Sequence, residues 1–149
     1  MDQEILYRTG TIYRDVIDEE SRTIELSFSS DAAVERVFGN EVLEHTEDSV
    51  DLERLNNSAP LLLEHDRNQQ IGVVERAWVD TEDQKGRAVV RFSQSTLGQE
   101  IFQDVRDGIR QLVSVGYSVA RFVTEKADEG LDTFRAASCR VLLMQSWMC

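Results

Sequence analysis

The sequence predicts an α+β protein with an antiparallel, barrel-like β-sheet and one principal helix. Short β-rich runs separated by polar turns fill most of the chain, and only one segment has the periodicity of a helix. Strands and helices do not alternate as they do in a doubly wound parallel sheet. The chain has 149 residues, of which 41% are hydrophobic, so it is long enough to bury the core of one domain.

The first half of the chain predicts two β-hairpins after a loosely ordered lead-in over residues 1–9. Residues 12–16 and 22–28 flank the polar cluster 18–21, which is typical of a hairpin turn. Gly39-Asn40 lies between two apolar pairs, and this dipeptide favours the tight turn of a second hairpin. Hairpins join antiparallel neighbours, so both favour an antiparallel sheet.

The middle of the chain predicts three further strands. Leu61-Leu62-Leu63 is short and wholly apolar, which favours a strand buried on both faces. Residues 71–79 and 87–93 are rich in β-formers and are joined by the turn 83–86, whose glycine comes last. Before these strands, residues 51–55 fit a single short helical turn.

Residues 96–110 predict the principal helix. Thr96 and Gln99 have the spacing of a capping box. One apolar stripe recurs every four residues and would face the core, although such a stripe also fits a partner-binding helix. Its members are Leu97, Ile101, Val105 and Ile109. The helix leads directly into the next strand, and a rigid element at that place would position the side chains of the strand.

The run from Leu112 to Val119 alternates strictly. Its apolar face consists of Val113, Val115, Tyr117 and Val119. Ser114 points to the opposite face, and Gly116 beside it would leave space for a substrate backbone to approach. The strand is expected to continue to Val123 and, after a polar turn, to return from Thr133.

Ser114 together with a histidine would permit acyl-transfer chemistry. A serine hydroxyl needs a base to become a nucleophile, and the chain offers two imidazoles, His45 and His65. The same residues fit another interpretation, in which Ser114 is an outward polar strand position and His65 an ordinary loop histidine. Spacing does not decide between the two, because a catalytic triad is recognised by its geometry.

Composition argues against several classes of function. The net charge of −12 does not suit binding to a phosphate backbone, which needs clustered lysine and arginine, so no nucleic acid is expected. No apolar run approaches the roughly 18 residues of a membrane span, and the acidic start lacks the pattern of a secretory signal. Cys139 and Cys149 give no disulfide framework, so a reducing cytoplasm is expected. The histidines and cysteines have no zinc-site spacing and no phosphate-binding glycine loop occurs, so no metal or cofactor is expected.

Several motifs follow one another in a fixed order between residues 10 and 136. They are Glu41-Val42-Leu43-Glu44-His45, Asp51-Leu52-Glu53-Arg54-Leu55, Ala59-Pro60-Leu61-Leu62 leading to His65-Asp66, Gln70-Ile71-Gly72-Val73-Val74-Glu75, Arg91-Phe92-Ser93, Gln103-Asp104-Val105-Arg106-Asp107-Gly108-Ile109 and Val113-Ser114-Val115-Gly116-Tyr117. In these motifs and in the gaps between them, the region resembles the prohead proteases of tailed bacteriophages, the capsid maturation enzymes of the HK97 type.

The resemblance implies a fold related to the herpesvirus assembly proteases, with Ser114 as the nucleophile and His65 as its base. It implies a serine endopeptidase that cleaves the scaffold part of the phage major capsid protein, and itself, during procapsid maturation. Its partners would be that capsid protein and its scaffold region, together with further copies of itself, in the host cell cytoplasm inside the procapsid. The alternative is a non-catalytic capsid-assembly or scaffold domain, or a truncated inactive protease.

The pattern of the family stops after Ala136. Family members continue with a tryptophan, a proline and a glutamate, whereas residues 137–149 contain neither a proline nor an acidic residue. We therefore expect a protease domain over residues 1–136 whose closing part is missing, followed by a divergent tail over residues 137–149. A reading-frame shift is one hypothesis for this tail, and it fails if no alternative frame of the coding DNA restores the pattern.

The missing part bears on the chemistry, because a Ser-His pair usually needs a third group to orient the imidazole. If the family draws that group from its closing strand, this chain lacks it. His45 is a candidate substitute, since the herpesvirus relatives use a second histidine in that role. A purely structural role for His45 is the other interpretation.

Overall fold

The structure, a computed structural model, describes residues 5–64 and 66–147. That part of the chain forms ten strands and one helix. They are β1 (Leu6–Asp18), β2 (Thr23–Ser30), β3 (Val34–Arg36), β4 (Gly39–Leu43), β5 (Val50–Asp51), β6 (Pro60–Leu63), β7 (Asp66–Asp80), β8 (Lys85–Phe92), α1 (Thr96–Arg106), β9 (Leu112–Glu125) and β10 (Thr133–Trp147). The prediction of a mostly β fold with one main helix is confirmed for these residues.

Strand pairing curls the sheet into a barrel-like shape. The strands pair in the order β3–β4–β10–β6–β7–β8–β2–β1–β9, and β9 pairs back onto β10. β10 is antiparallel to β9 along one edge and parallel to β4, β5 and β6 in turn along the other. The sheet is therefore mixed, and the prediction of an antiparallel sheet is wrong at β10. Apolar periodicity reveals which face of a strand is buried but not the direction of its neighbour.

Both predicted hairpins are present, but their limits differ from those expected. In the first, Ile12 of β1 pairs with Leu26 of β2. β1 already begins at Leu6 and pairs there with Tyr117 of β9, so residues 6–9 are not a loose lead-in. That pairing joins residues far apart in the chain, which is why local sequence does not show it.

The turn of the second hairpin lies two residues earlier than predicted. Arg36 pairs with Gly39, so Val37 and Phe38 form the connection. Gly39 begins β4 with φ +138, and a Cβ placed there would lie 2.6 Å from the Asp132 carbonyl oxygen. This glycine is thus needed for its backbone conformation and for close packing in the strand, and not for the turn itself.

The helix starts and packs nearly as predicted. Its N-cap is Ser95, not Thr96, and the Ser95 hydroxyl accepts a hydrogen bond of 3.1 Å from the Gly98 amide. Ile101 and Val105 are buried against the sheet, as the apolar stripe predicts.

The helix ends at Arg106, four residues earlier than predicted. Gly108 has φ +77, and the Ile109 amide donates to the Asp104 carbonyl at 2.8 Å while the Gly108 amide donates to the Val105 carbonyl at 3.1 Å. These two bonds form a Schellman cap, which a left-handed glycine permits. Ile109 consequently leaves the helix and is 69% exposed, so it does not belong to the buried stripe.

The two faces of the barrel wall can be assigned from register and burial. Leu61, Met144 and Val115 are register partners on β6, β10 and β9, and all three belong to the hydrophobic core. The neighbouring row contains Leu62 and Ser114, and since alternate residues of a strand point to opposite faces, these two side chains lie on the outer side of the wall. Leu62 is nevertheless buried, which confirms the prediction of a strand covered on both faces.

A buried polar network fills one end of the interior. Glu41 of β4 accepts hydrogen bonds from Arg8 at 3.1 Å, from Arg36 at 3.3 Å and from the Tyr117 hydroxyl. The Arg8 guanidinium also donates to the Ala32 carbonyl at 2.8 Å. Burial, and then the bond to Glu41, raise the pKa of Tyr117 to about 12. The network therefore ties β1, β3, β4 and β9 together through one carboxylate.

β10 continues through Ala136 to Trp147, so it includes most of the segment that was predicted to be a divergent tail. Cys139 of this segment pairs with Val119, and Val141 pairs with Tyr117.

Replacement of Glu41 by Gln is expected to destabilise the protein by about 3 kcal/mol, because it leaves the buried guanidinium of Arg8 and the partly buried one of Arg36 without their counter-charge. Urea unfolding would measure the change. Glu125→Gln is the matched control, since Glu125 pairs with Arg135 in a half-exposed position and its loss is expected to cost less than about 1 kcal/mol. Equal effects of the two changes would contradict the role assigned to the buried network.

Candidate active site

Ser114 is the third residue of β9, and hydrogen-bonded strands flank it on both sides. Its register partners are Thr9 of β1 and Gln145 of β10. The prediction that Ser114 lies opposite the apolar face is confirmed, since Val113 and Val115 are in the core. The prediction that Gly116 leaves open space beside Ser114 is wrong, because Ser114 is only 4% exposed and Gly116 is buried as well. Ladders on both edges hold the serine backbone in one place, as precise positioning requires.

His65 lies outside the residues that the structure describes. Its chain neighbours are described on both sides. Leu63 at the end of β6 pairs with Asp66 at the start of β7. Glu64 has φ +54, a left-handed conformation that is uncommon for a residue other than glycine, and such strained positions are enriched at functional sites.

The sheet brings the end of β6 close to the start of β9. Ser114, Gln145 and Leu62 lie in one row, and neighbouring strands are about 4.8 Å apart, so the Ser114 and Leu62 backbones are about 10 Å apart. Because β6 is parallel to β10 and β10 is antiparallel to β9, β6 runs from Leu62 toward the row of Val113. The chain segment that carries His65 thus leaves β6 at the end where β9 begins.

An ion pair connects these two segments directly. The Arg110 guanidinium lies 3.2 Å from the Glu64 carboxylate and 3.8 Å from that of Asp104 at the end of α1. Glu64 immediately precedes His65, and Arg110 comes four residues before Ser114. The Arg110 side chain is largely buried, so this contact restrains the distance between the two predicted site segments.

A cleft of about 210 Å³ opens beside this row. Its lining consists of Arg54, Pro60, Leu62, Arg67, Gln70 and Leu142. Leu62 shares a row and a face with Ser114, so the cleft lies on the same side of the sheet as the serine. Its apolar floor and its arginines would suit the side chain of an extended polypeptide.

The second histidine of the chain is engaged elsewhere. His45 Nδ1 lies 3.0 Å from the Leu43 carbonyl oxygen, which can only accept, so Nδ1 carries the hydrogen. Nε2 therefore accepts a hydrogen bond of 2.8 Å from the Ser29 hydroxyl. Both partners are buried, and neither ring nitrogen is left for a second imidazole. The geometry thus favours the structural interpretation of His45 over the role of a third catalytic group.

The Ser29–His45 pair was not predicted from the sequence. It joins residues sixteen positions apart on β2 and after β4, and no motif marks it. The pair has the hydrogen-bonding pattern of a serine and its base, but its imidazole is fully buried and both ring nitrogens are already engaged.

Metal ligands and a thiol are two further kinds of chemical group to consider in the described part of the chain. No cluster of three or more histidine, cysteine or acidic side chains there is arranged to hold a metal ion. Burial raises the pKa of the Cys139 thiol to about 11, so this cysteine is not a thiolate nucleophile at neutral pH.

No helix in the described residues has the length and apolarity required to span a bilayer.

Comparison with known proteins finds related sequences and a related fold. The sequence profile of a family described as caudovirus prohead serine protease matches residues 11–142, which reaches six residues beyond Ala136. Over 113 residues the chain is 47% identical to the major capsid protein of Halomonas phage phiHAP-1, covering 74% of this chain but only 19% of that protein. The chain thus spans about a fifth of the length of this curated relative.

Among solved structures, the chain is similar to the bacteriophage T4 capsid assembly protease. The TM-score is 0.61, the sequence identity is 16%, and the alignment covers 99% of both chains. At this level of identity the likeness shows a shared fold.

The free energy of unfolding is expected to decrease as the pH falls below about 6.5. Burial lowers the pKa of His45 from its usual value of 6.5, so the unfolded chain binds this proton more readily than the folded protein does. The slope would approach about 1.4 kcal/mol per pH unit until the lowered pKa is reached. Urea unfolding at a series of pH values would measure it. His45→Asn is expected to reduce the slope, and an unchanged slope in this variant would contradict the assignment.

Proposed function

The chain belongs to the family of caudovirus prohead serine proteases, and from this membership we propose that it is a serine endopeptidase of phage capsid maturation. The observation that carries the proposal is the family match, which extends over most of the chain and includes both Ser114 and His65. We further propose that the enzyme cleaves the scaffold part of the phage major capsid protein, and itself, within the assembling procapsid in the host cytoplasm.

The proposed mechanism uses Ser114 as the nucleophile and His65 as the general base. His65 would remove the hydroxyl proton as Ser114 Oγ attacks the scissile carbonyl carbon, and would then return this proton to the leaving amine. Water, activated by the same imidazole, would hydrolyse the acyl-enzyme and regenerate the serine. The position of Ser114 opposite the end of β6 and the Glu64–Arg110 ion pair support this assignment, because they hold the two segments near each other. No metal or cofactor takes part in these steps.

The proposed partners follow from the named relative. The protein from Halomonas phage phiHAP-1 is called a major capsid protein, and the segment similar to this chain is only a small part of it. A protease segment joined to a capsid protein would meet its substrate at a high effective concentration. We also propose self-association and a fold related to the herpesvirus assembly proteases.

A non-catalytic role in capsid assembly is the second candidate function. The observation that favours it is again the name of the relative, since a capsid protein can retain a folded segment that no longer cuts. A truncated, inactive protease belongs to the same class of explanation, with a domain over residues 1–136 and a frame-shifted tail over residues 137–149.

Replacement of Ser114 by Ala is expected to reduce cleavage of a co-expressed capsid protein by about a thousandfold or more, because the nucleophile is lost. Gel analysis of the capsid protein over time would measure it. Ser118→Ala is the matched control, since Ser118 is a buried serine four residues further along β9, and it is expected to leave cleavage unchanged. Retained cleavage in the Ser114 variant would refute the serine peptidase.

Replacement of Arg110 by Gln is expected to lower the cleavage rate by about tenfold, because the ion pair with Glu64 would no longer hold the two segments in place. The expected loss of unfolding free energy is below about 1 kcal/mol, because the Glu64 carboxylate that pairs with Arg110 is 41% exposed. Glu64→Gln and the double variant should resemble the single variant, as a coupled pair requires. Arg91→Gln, which breaks an exposed ion pair with Glu75, is the control, and an equal rate loss there would contradict the positioning role.

A further inference from the structure

Among the residues that the structure describes, none pairs with one backbone edge of the second half of β9. β1 pairs with β9 only from Leu112 to Tyr117, whereas β9 continues to Glu125. β10 covers the other edge of this extension, and no strand within residues 5–64 and 66–147 pairs with the edge that β1 leaves open. All side chains from residue 120 to residue 125 are exposed. An edge with free amide and carbonyl groups is a template for pairing with another strand.

Apolar groups accompany this free edge. Phe122 is 37% exposed and Val123 is 43% exposed. Phe122 packs edge-to-face against Phe38, with 5.6 Å between the ring centroids, and Phe38 packs in the same way against Phe134 at 5.3 Å. Val37 at the tip of the β3–β4 hairpin is fully exposed. An apolar cluster of this kind beside an open edge is typical of an interaction surface.

The charges on the edge are arranged to complement a second copy of the same edge. Arg121 and Glu125 lie two residues before and two residues after Val123, and all three point to the same face of the strand. If two copies pair antiparallel about Val123, Arg121 of each copy lies opposite Glu125 of the other. Two favourable charge pairs and a central pair of β-branched valines then form across the interface.

We propose that residues 121–125, the docking edge, pair antiparallel with the docking edge of a second copy of this chain. The shared pairing centre is Val123, so the contact is a closed two-fold interface. Glu125 already pairs with Arg135 of its own chain, and in the dimer it would lie between two guanidinium groups. This proposal names the surface for the self-association proposed above, and it does not depend on the peptidase function.

The net charge of the chain makes this local complementarity decisive. Because each chain has a net charge of −12, two copies repel each other at long range, and a contact without matched charges would be disfavoured. Edge strands that avoid self-pairing commonly carry charges that repel a second copy, whereas this edge carries one charge of each sign at equal distances from its centre. Because only five residue pairs meet, the dimer is expected to be weak and reversible.

Sedimentation velocity of the purified chain over a series of concentrations would test the proposal. The wild type is expected to show a reversible monomer–dimer equilibrium. Arg121→Glu places like charges opposite each other at both ends of the edge and is expected to weaken the dimer by about tenfold. Lys126→Glu changes the charge by the same amount on the same hairpin but outside the paired residues, so it is expected to leave the equilibrium nearly unchanged.

A charge exchange would identify the register. Glu125→Arg alone is also expected to weaken the dimer, but a mixture of the Arg121→Glu and Glu125→Arg variants should form heterodimers at wild-type strength, because every charge then meets its opposite. The double variant should recover in the same way. The proposal is overturned if the wild type stays monomeric at its highest soluble concentration, or if Arg121→Glu weakens the dimer no more than Lys126→Glu does. Loss of the dimer without recovery in the mixture would overturn the register.

Discussion

The pairing of β10 along both of its edges is the constraint on which the rest of the fold depends. β9 occupies one edge, and β4, β5 and β6 occupy the other in succession. This one strand closes the barrel-like sheet and also places Ser114 and Leu62 in the same row, on either side of Gln145. β6 and β9 pair with opposite edges of β10, and this arrangement brings the Glu64 carboxylate within reach of Arg110. The proposed catalytic arrangement thus relies on a strand that includes residues 137–147 of the segment predicted to be a divergent tail.

The buried polar network around Glu41 fixes the register of this sheet. A slip of one residue in β9 would move Tyr117 out of its contact with Glu41 and would turn Ser114 into the core. Arg8 strengthens the restraint, since its guanidinium is also buried and paired with that carboxylate. Buried polar groups tolerate few alternative arrangements, because every other register leaves them without partners. The interior network therefore specifies the outward position of the candidate nucleophile three residues away on the same strand.

Sequence patterns predicted the features that depend on local periodicity. The alternation around Ser114 correctly assigned its face, and the apolar stripe correctly placed Val105 of the helix in the core. Gly108 was available as a signal for the end of the helix, but the apolar stripe suggested continuation through it. Features that depend on distant partners were not visible. These include the parallel pairings of β10, the burial of Ser114, and the hydrogen bond between Ser29 and His45, which joins two residues that no motif relates.

β9 divides into two halves with different environments. In the first half, β1 and β10 both form hydrogen-bonded ladders with the backbone around Ser114. This part of the strand has no edge open to another strand, and the serine is held in a fixed position. In the second half no second ladder forms within residues 5–64 and 66–147, so on these residues the backbone has an edge available to another strand. A second copy docked on residues 121–125 would therefore not compete with the pairing that positions Ser114. The first residue of β1, Leu6, pairs with Tyr117 and marks the boundary between the part of β9 suited to chemistry and the part suited to assembly.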